Sequence, residues 1–167
     1  MNNCHAPNGT CNPVTGQCEC TEGWKFADCG VATVDLTSGY TDTKNGKGPV
    51  WYSYTYKGDP TGTKTSTFGL ALNNIGSDVY VSKGNKSDPN NFNYDMSFKN
   101  VTSINLSSAD IKLLNDTDGY SVSVYVPAID EATNNLLDLS IVVKFEESTG
   151  AAALLAAGIA SSFLALF

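Results

Sequence analysis

Apolar residues occupy every second position in several short runs of this chain, a spacing that is typical of β-strands with one buried face. The longest run lies between positions 137 and 146, where an apolar row alternates with a largely polar one. The apolar row consists of Leu137, Leu139, Ile141, Val143 and Phe145. We expect this row to be buried and Lys144 and Glu146 to lie in water.

Further runs predict strands of the same kind, separated by turn-forming stretches rich in Gly, Asn, Asp, Ser and Pro. We therefore expect an all-β protein with roughly seven or eight strands, in two antiparallel sheets packed face to face. One helical turn, "SSADIKLLN" from Ser107, is too short to change this class. The other predicted inward rows are Phe68, Leu70 and Leu72, then Tyr120, Val122, Val124 and Val126.

Aromatic residues are concentrated in the run 50–56, "VWYSYTY". In a strand, Tyr52, Tyr54 and Tyr56 fall on one face and Trp51 on the other, so one of these sets must face the core. Other tyrosines then become candidates for an outer sheet face, where flat rings can stack on sugars or on a partner protein. These candidates are Tyr80, Tyr94 and Tyr125.

Composition divides the chain into three segments, 1–29, 30–147 and 148–167. All five cysteines lie in the first segment, which has almost no Leu, Ile or Val. A segment that buries so little apolar surface depends on cross-links, so we expect disulfides and an extracellular or lumenal location. Five Asn-x-Ser/Thr sequons agree with that location, and we expect glycans on Asn8, Asn85, Asn100, Asn105 and Asn115.

The net charge is −7, and the ten Lys and Arg residues are scattered singly along the chain. No row of cations is available to neutralise phosphates, so nucleic acid is not expected as a partner.

The C-terminal stretch 151–167 is apolar and carries no charge. Three interpretations remain open: a signal replaced by a glycosylphosphatidylinositol anchor, a tail-anchored helix, or a buried or oligomer-forming segment. For the anchor, the small residues Ser148, Thr149 and Gly150 are the attachment candidates. The usual polar spacer of about 8–12 residues before such a tail is nearly missing.

The cysteine segment resembles an EGF-like module. Its spacing Cys4-x6-Cys11-x6-Cys18-x-Cys20-x8-Cys29, together with "NGTC" and "EGW", matches the second to sixth cysteines of that family. The resemblance implies that Cys4 pairs with Cys18 and Cys20 with Cys29, while Cys11 pairs with a cysteine outside this chain. That cysteine is expected upstream of Asn2, and a bond from Cys11 to a second chain is the alternative. Phe26 stands where the family often has glycine.

The stretch 34–126 is similar to the bacterial pre-peptidase C-terminal (PPC) family. The similarity rests on "VWYSYTY", "FGLALNN", "GSDVYV", "PNNFNYD" and "DGYSVSVYV". It implies a jelly-roll-like accessory sandwich that is not catalytic, and some members bind fibrous matrix and calcium. No cofactor is expected here, because the stretch that corresponds to the calcium site offers only Asp35 and Asp42.

The sequence favours a protein that is not an enzyme. A hydrolytic triad needs a base, and the single histidine, His5, lies among the cysteines. Asp78 and Asp95 are best interpreted as turn residues rather than as a catalytic pair, and "NDTDG" at Asn115 lacks most of a calcium loop.

The expected function is that of an extracellular or cell-surface binding and adhesion module. Its partners would be a protein or carbohydrate of the extracellular matrix or of a neighbouring cell surface, and a membrane through the C-terminal tail. One alternative is a structural subunit of an extracellular coat or filament that self-assembles. Another is the accessory C-terminal part of a larger secreted protease.

Overall fold

The protein is seen in a computed structural model that describes residues 4–47, 49–72, 76–84, 89–90, 92–107, 118–127, 129–130, 135–136 and 138–149. Every regular element within these ranges is a β-strand. In chain order the strands are β1 (Gly9–Cys11), β2 (Cys18–Cys20), β3 (Trp24–Lys25), β4 (Val31–Asp35), β5 (Tyr40–Lys47), β6 (Val50–Tyr56), β7 (Lys64–Leu72), β8 (Ser77–Lys83), β9 (Met96–Val101), β10 (Ser103–Ser107), β11 (Tyr120–Val126), β12 (Ile129–Asp130), β13 (Asn135–Leu136) and β14 (Asp138–Thr149). The described residues include no helix long and apolar enough to cross a bilayer.

Ten of these strands form two sheets. The six-stranded sheet has the order β3-β4-β6-β11-β8-β9, and the four-stranded sheet has the order β10-β7-β14-β5. Thr102 alone separates β9 from β10, so the chain passes from one sheet directly into the other at this side. The predicted all-β sandwich is therefore confirmed.

The core lies between the two sheets and is built from the predicted alternating rows. Aromatic rings meet across it: the centroid of Tyr54 is 5.7 Å from that of Phe68, and Tyr56 is 5.1 Å from Phe145. The predicted burial is confirmed for Phe68, Leu70, Leu72, Tyr120, Val122, Val124, Val126, Val143 and Phe145. Lys144 and Glu146 are exposed, as expected. The side chains of Leu137, Leu139 and Ile141 lie outside the described residues, as does the expected helical turn beyond Ser107.

The sandwich differs from the prediction in strand number and in one direction. Its sheets contain ten strands, and β4 runs parallel to β6, whereas the other described pairs are antiparallel. The stretch 31–47, for which the sequence predicted no strand, forms β4 and β5. These two strands lie at or near sheet edges, where fewer side chains are buried.

The N-terminal segment 4–29 is held by disulfides and continues into the larger sheet. β1 and β2 form a hairpin in which Cys11 lies opposite Cys18. The disulfides are Cys4–Cys18 and Cys20–Cys29, the pairing implied by the EGF-like resemblance. β3 pairs with β4 through Trp24 opposite Ala32 and Lys25 opposite Val31, which places this segment at the edge of the six-stranded sheet.

Candidate functional site

The outer face of the six-stranded sheet carries a cluster of aromatic side chains. Alternation along β6 points Tyr54 and Tyr56 into the core and Trp51 away from it, as the parity of the run predicts. Tyr125 of β11 is directly opposite Trp51, with ring centroids 4.9 Å apart. Tyr80 of β8 lies 5.8 Å from Trp51. The sheet therefore displays on its solvent side the kind of residues that usually fill a core.

Phe26, from the N-terminal segment, packs onto this cluster. Its ring centroid is 5.0 Å from that of Trp51. Its backbone has a φ of 72°, in the left-handed region that glycine prefers and a bulky residue rarely adopts. Phe26 thus adopts a turn conformation that is more common for glycine. The strain is of order 1–2 kcal/mol, and the contact with Trp51 offsets part of it.

Tyr94 extends the cluster toward the β9 side of the sheet. Its ring lies 5.7 Å from Tyr80, and the residue is 46% exposed, whereas Tyr80 is 2% exposed. Tyr80 therefore supports the cluster from beneath, and the half-buried rings of Phe26, Trp51 and Tyr125 with Tyr94 form its accessible surface. We call these five residues, Phe26, Trp51, Tyr80, Tyr94 and Tyr125, the aromatic face.

A charged pair borders the aromatic face. Lys99 Nζ lies 4.1 Å from the centroid of the Tyr80 ring, bonds to the Tyr80 hydroxyl and forms an ion pair of 3.0 Å with Asp78. Asp78 also accepts the backbone N–H of Asn100 at 3.1 Å. Burial raises the pKa of Asp78, but the bonds from Lys99 and Asn100 outweigh it, so the pKa lies below its ordinary value. The edge of the site holds a fixed anion and a fixed cation.

The expectation that Asp78 is a turn residue is wrong. Asp78 lies within β8, at a register shift between Ser77 and Val79, and its carboxylate bonds across to β9. The bulge leaves this side chain free to meet Lys99 instead of its own backbone. The Oδ2 of Asp95 accepts the N–H of Lys83, at the end of β8, at 2.7 Å. This bond crosses to β8, whereas the prediction was a bond to the backbone of its own turn.

A separate groove of about 460 Å³ lies between the β2–β3 turn and the sheet, and no residue of the aromatic face lines it. Its lining includes Glu22, Trp24, Thr33 and Thr55, and an ion pair of 2.6 Å joins Lys57 to Asp35. In the other sheet, Asp42 bonds to Lys44 at 2.7 Å and to the Tyr40 hydroxyl at 2.8 Å. Each of the two aspartates is therefore paired with a lysine. Among the described residues, no group of three or more His, Cys, Asp or Glu is placed to hold a metal ion.

The remaining candidates from the sequence lie apart from the aromatic face or outside the described residues. Cys11 is an exposed thiol, and His5 contacts Asp28 within the N-terminal segment. Ser148 and Thr149 belong to β14 and pair with Thr65 and Lys64. Asn8 is half-buried, Asn100 and Asn105 are exposed, and Asn85, Asn115, Gly150 and the tail 151–167 lie outside the described residues.

No protein-family model matches the chain, and no curated protein matches it either. Among solved structures, it is similar to Aeromonas hydrophila PliG, a periplasmic lysozyme inhibitor of g-type lysozyme. The identity is 12% and the TM-score 0.42, over 70% of this chain and 97% of that one. It is also similar to the pre-peptidase C-terminal domain of collagenase from Bacillus anthracis, with 16% identity and a TM-score of 0.39, over 70% of this chain and 94% of that one. A third similar structure is Salmonella Typhimurium PliG, with 13% identity and a TM-score of 0.37, over 68% of this chain and 97% of that one.

Proposed function

We propose that this protein is a non-catalytic binding and adhesion module that works outside the cell, and that it holds a protein or carbohydrate ligand on the aromatic face. The observation that carries the proposal is the placement of Trp51, Tyr125 and Tyr94 on the outer side of a sheet whose inner face packs on the buried core. Exposed aromatic clusters mark interaction sites, because flat rings bury large areas at little entropic cost. The Asp78–Lys99 pair would orient a ligand with polar groups at its margin.

The extracellular location is supported by the disulfide-bonded segment 4–29, since disulfides persist in oxidising compartments. Glycosylation at the sequons, attachment through the C-terminal tail and an external partner for Cys11 are parts of the same proposal. The exposed Cys11 thiol and the exposed Asn100 and Asn105 agree with it. A non-catalytic role is supported by the position of the single histidine, His5, which bonds to Asp28 in the N-terminal segment.

The proposal can be tested with the secreted protein on cultured cells, with bound protein measured by flow cytometry. Tyr94→Ala and Tyr125→Ala should each weaken binding about tenfold or more, because each removes an aromatic contact from the interface. Pretreating the cells with glycosidases or with a protease tells a carbohydrate ligand from a protein one.

Val14→Ser is the matched control, because Val14 is an exposed apolar residue of the N-terminal hairpin, 91% accessible, outside the aromatic face. All variants should melt like the parent before they are compared. If the two tyrosine variants bind as well as the Val14 control, the aromatic face is not the binding site.

A further inference from the structure

The two edges of the four-stranded sheet differ in chemistry. β5 forms one edge and β10 the other, and in the described part of the chain no further strand pairs with the free side of either. An open edge presents backbone N–H and C=O groups that can pair with another chain, so soluble proteins protect such edges with charges, bulges or a cover.

Among the described strands, the two large sheets have four edge strands, and charged residues lie on three of them; β10 is the exception. β5, "YTDTKNGK", contains Asp42 and Lys44, which form an ion pair. In the six-stranded sheet, β3 ends at Lys25, and β9 carries the exposed Lys99 and a bulge at Asn100, where φ is 51°. β10, "SINLS", has no charged residue, no proline and no shift in its register with β7.

β10 carries a sequon in its centre, Asn105-Leu106-Ser107. Ile104 and Leu106 pack on the core, so Asn105 points outward from the sheet and is exposed. The residue opposite Asn105 on β7 is Gly69, and even a Cβ added there would come no nearer than 3.8 Å to the carbonyl of Lys144. On the outer face, the position opposite Asn105 therefore carries no side chain that would crowd a group attached to it.

We propose that an N-linked glycan on Asn105 covers the edge strand β10 and prevents it from pairing with a second copy of this chain. A pairing strand must lie about 4.8 Å from β10. An oligosaccharide is much larger than this distance, so one attached on the outer face of β10 can extend over the free edge of β10 and hinder a second chain from pairing there. The glycan protects the edge of β10 from pairing, as charged residues protect β5 and β9. The inference rests on the secretory location in the proposed function, and it is independent of the aromatic face.

The test uses the full chain secreted from a cell line that adds N-glycans. Peptide mapping should find Asn105 occupied, and size-exclusion chromatography with light scattering should give a monomer. Asn105→Gln removes the glycan and leaves an uncharged edge, so the mass per particle should at least double at the same concentration. Ser107→Ala keeps Asn105 but removes the sequon, and it should behave as Asn105→Gln does.

Two further variants separate the glycan from other causes. Asn105→Lys has no glycan but restores a charge to the edge, so it should be monomeric, and it decides the question if Asn105→Gln is not secreted. Asn100→Gln, on the edge that Lys99 protects, should also stay monomeric. An unoccupied Asn105 in the secreted parent would overturn this proposal and leave the proposed function untouched. Two results would overturn the edge role alone. One is a glycosylated parent whose Asn105→Gln variant stays monomeric, and the other is an Asn105→Lys variant that associates or is not secreted. In either case binding to cells would be unaffected.

Discussion

The carboxylate of Asp59 organises the turn between β6 and β7. Its Oδ1 accepts the N–H and hydroxyl of Thr61 at 3.1 and 2.6 Å. Its Oδ2 accepts the N–H and hydroxyl of Thr63 at 2.9 and 3.1 Å and the N–H of Lys64 at 2.9 Å. The Thr61 hydroxyl bond, with the backbone bonds from Lys64, Thr61 and Thr63, outweighs the effect of burial and holds the pKa of Asp59 well below its ordinary value.

Asp59 should therefore make stability depend on pH in the acid range. Because its folded pKa is depressed, its contribution is complete above the ordinary value of 3.8 and is lost as the pH falls from there toward the folded pKa. Asp59→Asn should lower Tm at pH 7, since an amide nitrogen would face N–H donors. It should also lose less stability than the parent between about pH 4 and pH 2. Thermal unfolding across that range checks both effects, and parallel pH curves for the two proteins would contradict the assignment.

Two glycines with the same backbone conformation should respond differently to alanine. Gly16 and Gly119 have φ values of 71° and 72°, but a Cβ at Gly16 meets nothing within 4 Å, whereas at Gly119 it would lie 2.0 Å from the carbonyl oxygen of Tyr56. Gly16→Ala should cost about 1 kcal/mol from conformation alone. Gly119→Ala should cost about 3 kcal/mol or more because backbone must move as well. Denaturant unfolding measures both, and equal costs would show that the chain yields easily beside Gly119.

At the scale of the elements, β14 holds the four-stranded sheet together, because it lies between β7 and β5. Phe145 is fully buried on its inner face and contacts Tyr56, while its neighbour Lys144 is exposed on the outer face. Phe145→Ala should reduce the free energy of unfolding by about 3–5 kcal/mol. Lys144→Ala should change it by less than about 0.5 kcal/mol. Urea titrations of the two variants give the comparison, and similar midpoints would mean that the two faces of β14 are wrongly assigned.

The strands that sequence predicted well are those whose inner faces are fully buried. In β11 and β7 the predicted apolar rows are buried, because a neighbouring strand lies on each side and the other sheet covers them. β5 was missed for the opposite reason. Its half-buried residues are Tyr40, Asp42 and Lys44. Exposure therefore alternates along β5, but hydrophobicity does not, because two of these three residues are charged. An edge strand allows polar residues on its inner face, since solvent reaches them from the side.

The candidate site was predictable only where it depends on local periodicity. The parity of β6 separates Trp51 from Tyr54, and the cross-strand register brings in Tyr125. Phe26 and Lys99 come from segments 25 and 48 residues away from Trp51 along the chain. Their positions depend on how the N-terminal segment and the β9 bulge fold. One feature of the sequence marked Phe26 as unusual: it stands where the EGF-like family, which this segment resembles, often has glycine.

At the scale of the whole molecule, β3 of the N-terminal segment and the aromatic face lie on the six-stranded sheet, whereas β14, the last strand that the structure describes, lies in the four-stranded sheet. β14 is paired on both sides, over nine residue pairs with β7 and eight with β5. If the chain is attached through its C-terminus while a ligand holds the opposite sheet, tension enters the sandwich at Thr149.

Tension entering there pulls along the axis of β14 and loads the cross-strand bonds together, in shear, so β14 can serve as a mechanical clamp. Single-molecule pulling can compare two pairs of handles on the β14–β7 ladder. Handles at Thr149 and Ala71 lie at opposite ends of the ladder, whereas Thr149 and Thr65 lie at the same end, so that pulling opens the ladder one pair at a time. The first pair should need the higher rupture force. Equal forces would show that the ladder does not carry the load. If the protein is loaded in this shear geometry, an adhesive contact should survive a short-lived force that would unfold a sheet whose strands are pulled apart one pair at a time.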